Sequence, residues 1–190
     1  MLETPRALLV AVVAVAAVSA CGESTGIRPS SSNTESFLQV YAMNGTPITL
    51  PAAVSVRSAQ AVRIDAAFIF DLAFDINATG VVQIFTQRMV ASELAATHRV
   101  GLQTRVATFD EVIRAPTSGY AYDSLLTLGQ GQVVLVDVLD GSCSGSFLGS
   151  NVRAKLRVDS VQLSTRSVFL HVLVNPNCGF RSLVQGTPKD

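Results

Sequence analysis

Between residues 62 and 76, apolar side chains fall on every second position. Val62, Ile64, Ala66, Phe68, Phe70, Leu72, Phe74 and Ile76 share one parity, while Arg63, Asp65, Ala67, Ile69, Asp71, Ala73, Asp75 and Asn77 fall on the other. Successive side chains of a strand point to opposite faces, so the pattern describes one buried and one wet face. A helix would scatter the phenylalanines around its axis. The segment therefore predicts a single long strand. Asn77-Ala78-Thr79-Gly80 is a turn signal, and residues 81–88 resume the alternation, which predicts a hairpin.

The same logic extends over the chain from Phe37 onward. Residues 99–109 place Val100, Leu102, Thr104, Val106 and Thr108 on one side. Residues 120–128 and 132–139 flank Gly129-Gln130-Gly131, and residues 152–163 and 167–175 flank Ser164-Thr165-Arg166; each reads as a hairpin. Asn44-Gly45 is a strong hairpin-turn dipeptide after a strand at 37–43, with a shorter strand at 53–57 beyond it. Only residues 91–97 look helical. The count is about eight or nine strands. Strands joined by short turns are antiparallel, and without intervening helices nothing supports a parallel sheet. The expected fold is all-β, an antiparallel β-sandwich, because residues 133–139 and 168–174 are apolar on both faces, as in covered central strands. The alternative is an up-and-down, lipocalin-like barrel. A membrane-spanning barrel is disfavoured, since the apolar face carries no aromatic girdle.

The chain has 190 residues, enough for one ordinary domain, and 48% of them are apolar against 15% charged, too apolar for a disordered protein. Its 14 basic and 14 acidic side chains cancel. A neutral chain with no basic run has no counterion-release drive onto nucleic acid, and no Lys/Arg cluster recruits anionic lipid.

Residues 7–18 form an unbroken apolar run of 12. A membrane-spanning helix needs about 20 such residues, whereas the core of a signal peptide needs about this many. Val18-Ser19-Ala20-Cys21 follows, and this quartet resembles the lipobox of bacterial lipoproteins: branched apolar, small, small, cysteine. The resemblance implies removal of residues 1–20, thioether linkage of Cys21 to diacylglycerol and acylation of its new amine. More than one acyl chain is what makes such an anchor hold. Gly22, rather than Asp, follows the cysteine, which by the same resemblance implies the outer membrane in a host that has one. Residues 21–35 then read as the lipidated cysteine and a flexible tether rich in Gly, Ser, Thr and Pro, and residues 36–190 as a single domain.

With Cys21 assigned to lipid, Cys143 and Cys178 remain. An exported domain folds where disulfides persist. The two cysteines lie just before and just after the hairpin built on residues 164–166, so they should meet at one end of it and bond. Two cysteines without partner ligands do not make a zinc site.

The sequence offers few candidate catalytic groups. His98 and His171 are the only histidines; either could serve as a general base or a metal ligand, but a surface His98 and a hydrogen-bonded His171 are the plainer readings. Gly141-Ser142-Cys143-Ser144-Gly145 has the outline of a nucleophile elbow, but that motif requires a strand-to-helix turn in an α/β sheet, and neither is expected here. Asp65, Asp71 and Asp75 share one face; Asp71, Asp75 and Asn77 could supply oxygen ligands to calcium, but along an extended strand the acidic residues read as a solvated face. Asp110-Glu111 are neighbours pointing to opposite sides, not an acid/base dyad. Tyr120 and Tyr122 share a strand face and could form a small stacking platform, though core packing is the expected role. No catalytic residue, cofactor or metal is expected. The sequence points to a non-enzymatic envelope module that binds or scaffolds another component, held to the membrane by its N-terminal lipid. A carrier of a small apolar ligand is the alternative, requiring a closed barrel with a cavity. A hydrolase comes third, requiring a histidine within hydrogen-bond reach of a serine or carboxylate in a cleft.

Overall fold

A computed structural model of the chain describes residues 26–65, 70–91 and 98–188. The leader, Cys21, residues 66–69 of the long alternating segment and residues 92–97 of the expected helix lie outside the described residues.

Eleven strands are present among the described residues: β1 (Thr34–Tyr41), β2 (Ala53–Ser55), β3 (Gln60–Val62), β4 (Leu72–Ile76), β5 (Val82–Thr86), β6 (Arg99–Arg105), β7 (Ala121–Tyr122), β8 (Leu126–Leu128), β9 (Val133–Leu139), β10 (Asn151–Gln162) and β11 (Ser167–Asn175). They form two antiparallel sheets. One has six strands in the order β1-β11-β10-β9-β6-β7, and the other five in the order β3-β2-β4-β5-β8. The sheets do not close on each other, so the fold is a sandwich and not a barrel. Leu72, Phe74 and Ile84 of the smaller sheet meet Val136, Leu156 and Leu170 of the larger, all at most 1% exposed. At about 25 cal/mol per Å2, burying each such side chain contributes on the order of 2 kcal/mol, and this shared face holds the layers together.

Two hairpins form as expected. β4 and β5 pair across residues 77–80, where Asn77 Oδ1 accepts from the backbone of Thr79 and Val81. β10 and β11 pair across residues 163–166, where Arg166 adopts a φ of 49°. The central strands β9 and β11 are covered on both faces.

Other connections differ from the sequence expectation. The segment 62–76 is not one strand: β3 and β4 lie on opposite sides of β2, each antiparallel to it. They are therefore parallel to each other, with β2 between them. The Asn44-Gly45 turn and the 129–131 turn are not hairpins either. The first links β1 in the larger sheet to β2 in the smaller, and the second links β8 in the smaller to β9 in the larger. Residues 120–128 split for the same reason: the chain kinks at Asp123, with φ of 52°, so that β7 joins one sheet and β8 the other. β6 stops at Arg105, and Val106 is fully exposed. The one described α-helix is the single turn α1 (Gln87–Val90), just ahead of the expected position.

The outer face of the six-stranded sheet is not left to solvent. Residues 106–120 and the C-terminal segment 180–187 fold over it, burying Phe109, Val112, Ala115 and Leu183 against Val133, Leu135 and Leu173. Residues 30–35, read above as linker, are part of the fold. Asn177 Oδ1 accepts from the Ser30 and Ser31 amides at 2.8 and 3.0 Å, and the Asn33 amide donates to Gly186 O at 2.8 Å. Short polar side chains that look solvated in sequence here serve the backbone of a neighbouring segment.

Candidate functional site

The outer face of the larger sheet carries the densest polar chemistry. On β10, Arg153, Lys155 and Arg157 share one parity and project beneath the covering loops. Lys155 is 3% exposed; its Nζ donates to Phe109 O at 2.6 Å and Val112 O at 3.0 Å and sits 4.3 Å from the Phe109 ring centre. Burial lowers the Lys155 pKa. Its ammonium is thus the peg that ties the 106–115 loop to the sheet.

His171, on β11, lies between two aromatic rings. Phe37 of β1 stacks on one side with centroids 4.4 Å apart, and Phe109 on the other at 3.8 Å. Its Nε2 is 2.5 Å from Glu35 Oε1, and its Nδ1 is 3.5 Å from Arg157. Both ring faces and both nitrogens thus have protein neighbours.

On the same face, Asp137 is 1% exposed. Its Oδ2 accepts from Tyr122 OH at 2.5 Å and from Asn151 Nδ2, and its Oδ1 is 3.1 Å from Arg153 Nε. Burial, and then the bond to Asp137, push the Tyr122 phenol up; burial pushes Tyr120 up to about 12. Tyr120 packs against the cluster of Phe109 and Leu183, and a Cβ on Gly101 would come within 3.0 Å of the Tyr122 ring, which lies against that strand.

His98 immediately precedes β6 and contacts Asp71, just ahead of β4 in the smaller sheet. Its Nε2 is 2.8 Å from Oδ1 of buried Asp71, whose Oδ2 accepts the Val56 amide at 2.5 Å. The bond to Asp71 raises the His98 pKa above its ordinary value. The structure thus separates the two histidines and gives each a carboxylate. Each histidine has the carboxylate neighbour that the hydrolase reading asks for, while their partners among the described residues include no hydroxyl or thiol. Asp71 and Asp75 are also not a solvated face: each is 6% exposed and taken up by donors, Asp75 by Asn44, the Ile76 amide and Arg166. Asp75 is covered by the 42–52 connection and by the β10–β11 turn, through Asn44 and Arg166. Asp65 alone remains in solvent, paired with Arg63. Among the described residues no cluster of His, Cys, Asp or Glu is arranged to hold a metal.

The remaining sequence candidates have structural roles. Cys143 and Cys178 form a disulfide with Cα atoms 5.5 Å apart. The 141–145 segment is a 3-10 turn capped by Asp140, which also pairs with Arg57 at 2.6 Å, so no elbow forms. Glu111 Oε2 accepts from the Thr108 amide and hydroxyl at 2.7 and 2.8 Å, closing a turn rather than joining Asp110 in a dyad.

Sequence reasoning passed over Glu35, Phe37, Phe109, Lys155 and Arg157. The one available signal was the charged triplet Arg153, Lys155, Arg157 on alternate positions of a strand, a pattern that demands either solvent or partners. Open grooves of about 420, 350 and 530 Å3 border the covering loops, one of them lined by Ile113, Arg114, Ser182, Val184, Gln185 and Thr187. Comparison with family models, curated proteins and solved structures finds no match for this chain.

Proposed function

We propose that the chain is a lipid-anchored module of a bacterial cell envelope, cut before Cys21, acylated there, and displaying its sandwich for non-enzymatic binding or scaffolding. The carrying observation is the Cys143–Cys178 disulfide, a bond that persists in oxidising compartments and accords with the export leader at residues 1–20. Two features support surface binding over transport of an enclosed ligand. The space between the sheets is filled by fully buried side chains such as Phe74, Leu72 and Leu156, and the grooves lie outside, around the loops that cover the larger sheet. The buried carboxylates and histidines serve one another, as befits a scaffold.

The test is fractionation of cells making the full chain, with mass spectrometry of its N-terminus. The expected result is a membrane-bound chain beginning at a hydrocarbon-modified Cys21, and a Cys21→Ser variant that is neither lipidated nor membrane-retained. A soluble wild-type chain with an unmodified Cys21 overturns the anchor. Crosslinking in native envelopes then identifies the component bound.

A further inference from the structure

The point at which the chain leaves the fold toward Cys21 is bracketed by exposed apolar side chains. The last anchored residues are Ser30 to Asn33. Ser30 and Ser31 are held by Asn177, next to Cys178. Ser32 Oγ is 3.3 Å from Thr187 Oγ1, and Asn33 Nδ2 donates to Ser182 O and Val184 O at 3.0 and 2.7 Å.

On one side stands the 144–149 loop. Ser146 Oγ donates to Cys178 O at 3.3 Å, and Leu148 packs directly on Gly179. The tip of this loop displays Phe147, 97% exposed, and Leu148. On the other side lies the groove of about 350 Å3 that ends at Thr187 and carries exposed Ile113 and Val184. Arg114 is part of its lining, and no carboxylate is. The disulfide, the Asn177 bonds and the Leu183-to-Ile113 backbone bond hold both sides in place.

We propose that this corner of the domain docks on the phospholipid surface, with Phe147 and Leu148 on one side of the departing chain and Ile113 and Val184 on the other entering the interfacial region. The inference rests on the lipid anchor proposed above. Nine peptide steps from Cys21 to Ser30 span at most about 30 Å, and about 15 Å as a flexible coil. The lipid therefore holds this corner, where the chain leaves the fold, close to the bilayer. Aromatic and aliphatic side chains with a nearby arginine suit the headgroup and acyl boundary. Two similarly exposed residues, Leu163 and Ile48, belong to the turns around Arg166 and Asn44, at the far end of β11 and about 26 Å of strand away.

The experiment places nitroxide labels on the full chain, purified from membranes and reconstituted in phosphatidylcholine–phosphatidylglycerol vesicles, through Phe147→Cys, Val184→Cys or Leu163→Cys. Docking predicts that labels at 147 and 184 become accessible to oxygen and shielded from a nickel chelate, while the label at 163 stays open to the chelate. A further Phe147→Ser substitution should weaken the shielding at 184 without releasing the chain from the vesicles. Equal chelate access at all three positions in a chain that still pellets with the vesicles overturns the docking and leaves the anchor standing. Shielding in native envelopes but not in protein-free vesicles assigns the corner to a protein and overturns it too. A chain that lacks lipid and does not pellet overturns both readings.

Discussion

Arg166, at the tip of the β10–β11 turn, reaches across to the other sheet and places its guanidinium 3.1 Å from Oδ1 of buried Asp75. The same side chain donates to Asn44 O at 2.7 Å and Ile76 O at 2.8 Å. One residue thus ties the larger sheet's hairpin to the inter-sheet turn and to β4. Arg166→Met removes all three bonds and leaves Asp75 short of its cationic partner. Because a buried charge deprived of its partner is costly, the loss should be about 2–3 kcal/mol, read as a lower urea midpoint with unchanged m-value. Asp75→Asn in the same background should recover part of it.

The His98–Asp71 pair makes stability pH-dependent. Asp71 raises the His98 pKa, so the folded state holds the proton more tightly than the unfolded chain. The stabilisation is fully present below the unfolded value of 6.5 and is lost as pH rises through the folded pKa. Urea midpoints measured from about pH 6 to pH 9 should fall across that window. His98→Gln should flatten this part of the profile; an unchanged slope would assign it to another group.

Lys155 predicts a local effect. Lys155→Met keeps the length of the side chain but leaves Phe109 O and Val112 O without their donor. Two buried carbonyls losing a charged donor should cost about 2–4 kcal/mol. Hydrogen exchange should show the change first in residues 106–115, with the β4–β5 hairpin unaffected. Uniform loss of protection would contradict the role of a peg.

Removing the disulfide by Cys143→Ala and Cys178→Ala together frees a loop with a sequence separation of 35. The chain-entropy relation gives a loss of about 4 kcal/mol. Thermal unfolding of the double variant checks it, and reduced wild-type protein should match its midpoint.

Gly179 is the glycine least open to substitution near the disulfide. It has a φ of +80°, and a Cβ there would lie 2.4 Å from the carbonyl of Leu148, a backbone group that cannot swing away. Gly179→Ala should cost upwards of about 2 kcal/mol through strain and displacement of the 144–149 loop. Gly141→Ala, with nothing within 4 Å of its Cβ, should stay near wild type in the same thermal scan.

The all-β character, the 77–80 and 163–166 hairpins and the covered strands β9 and β11 were legible in the order of residues, because side-chain parity and turn chemistry are local properties. The Cys143–Cys178 bond was legible too, since a single hairpin brings both cysteines to one end. Which sheet each strand joins was not. The turns at Asn44-Gly45 and at 129–131 have hairpin composition, yet each crosses between layers, and nothing local distinguishes the two cases. Residues 62–76 keep an apolar side chain at every second position, but β2 pairs along both edges, with β3 and β4 taken from the two ends of that segment. Burial of the charged groups belongs to the same level. Asp71 meets His98, Asp75 meets Arg166, and Lys155 meets the backbone of Phe109 and Val112, all of them remote in sequence. A charge is tolerated inside only when its partner arrives from elsewhere in the chain, so these pairings exist only once both sheets and their covering loops are assembled.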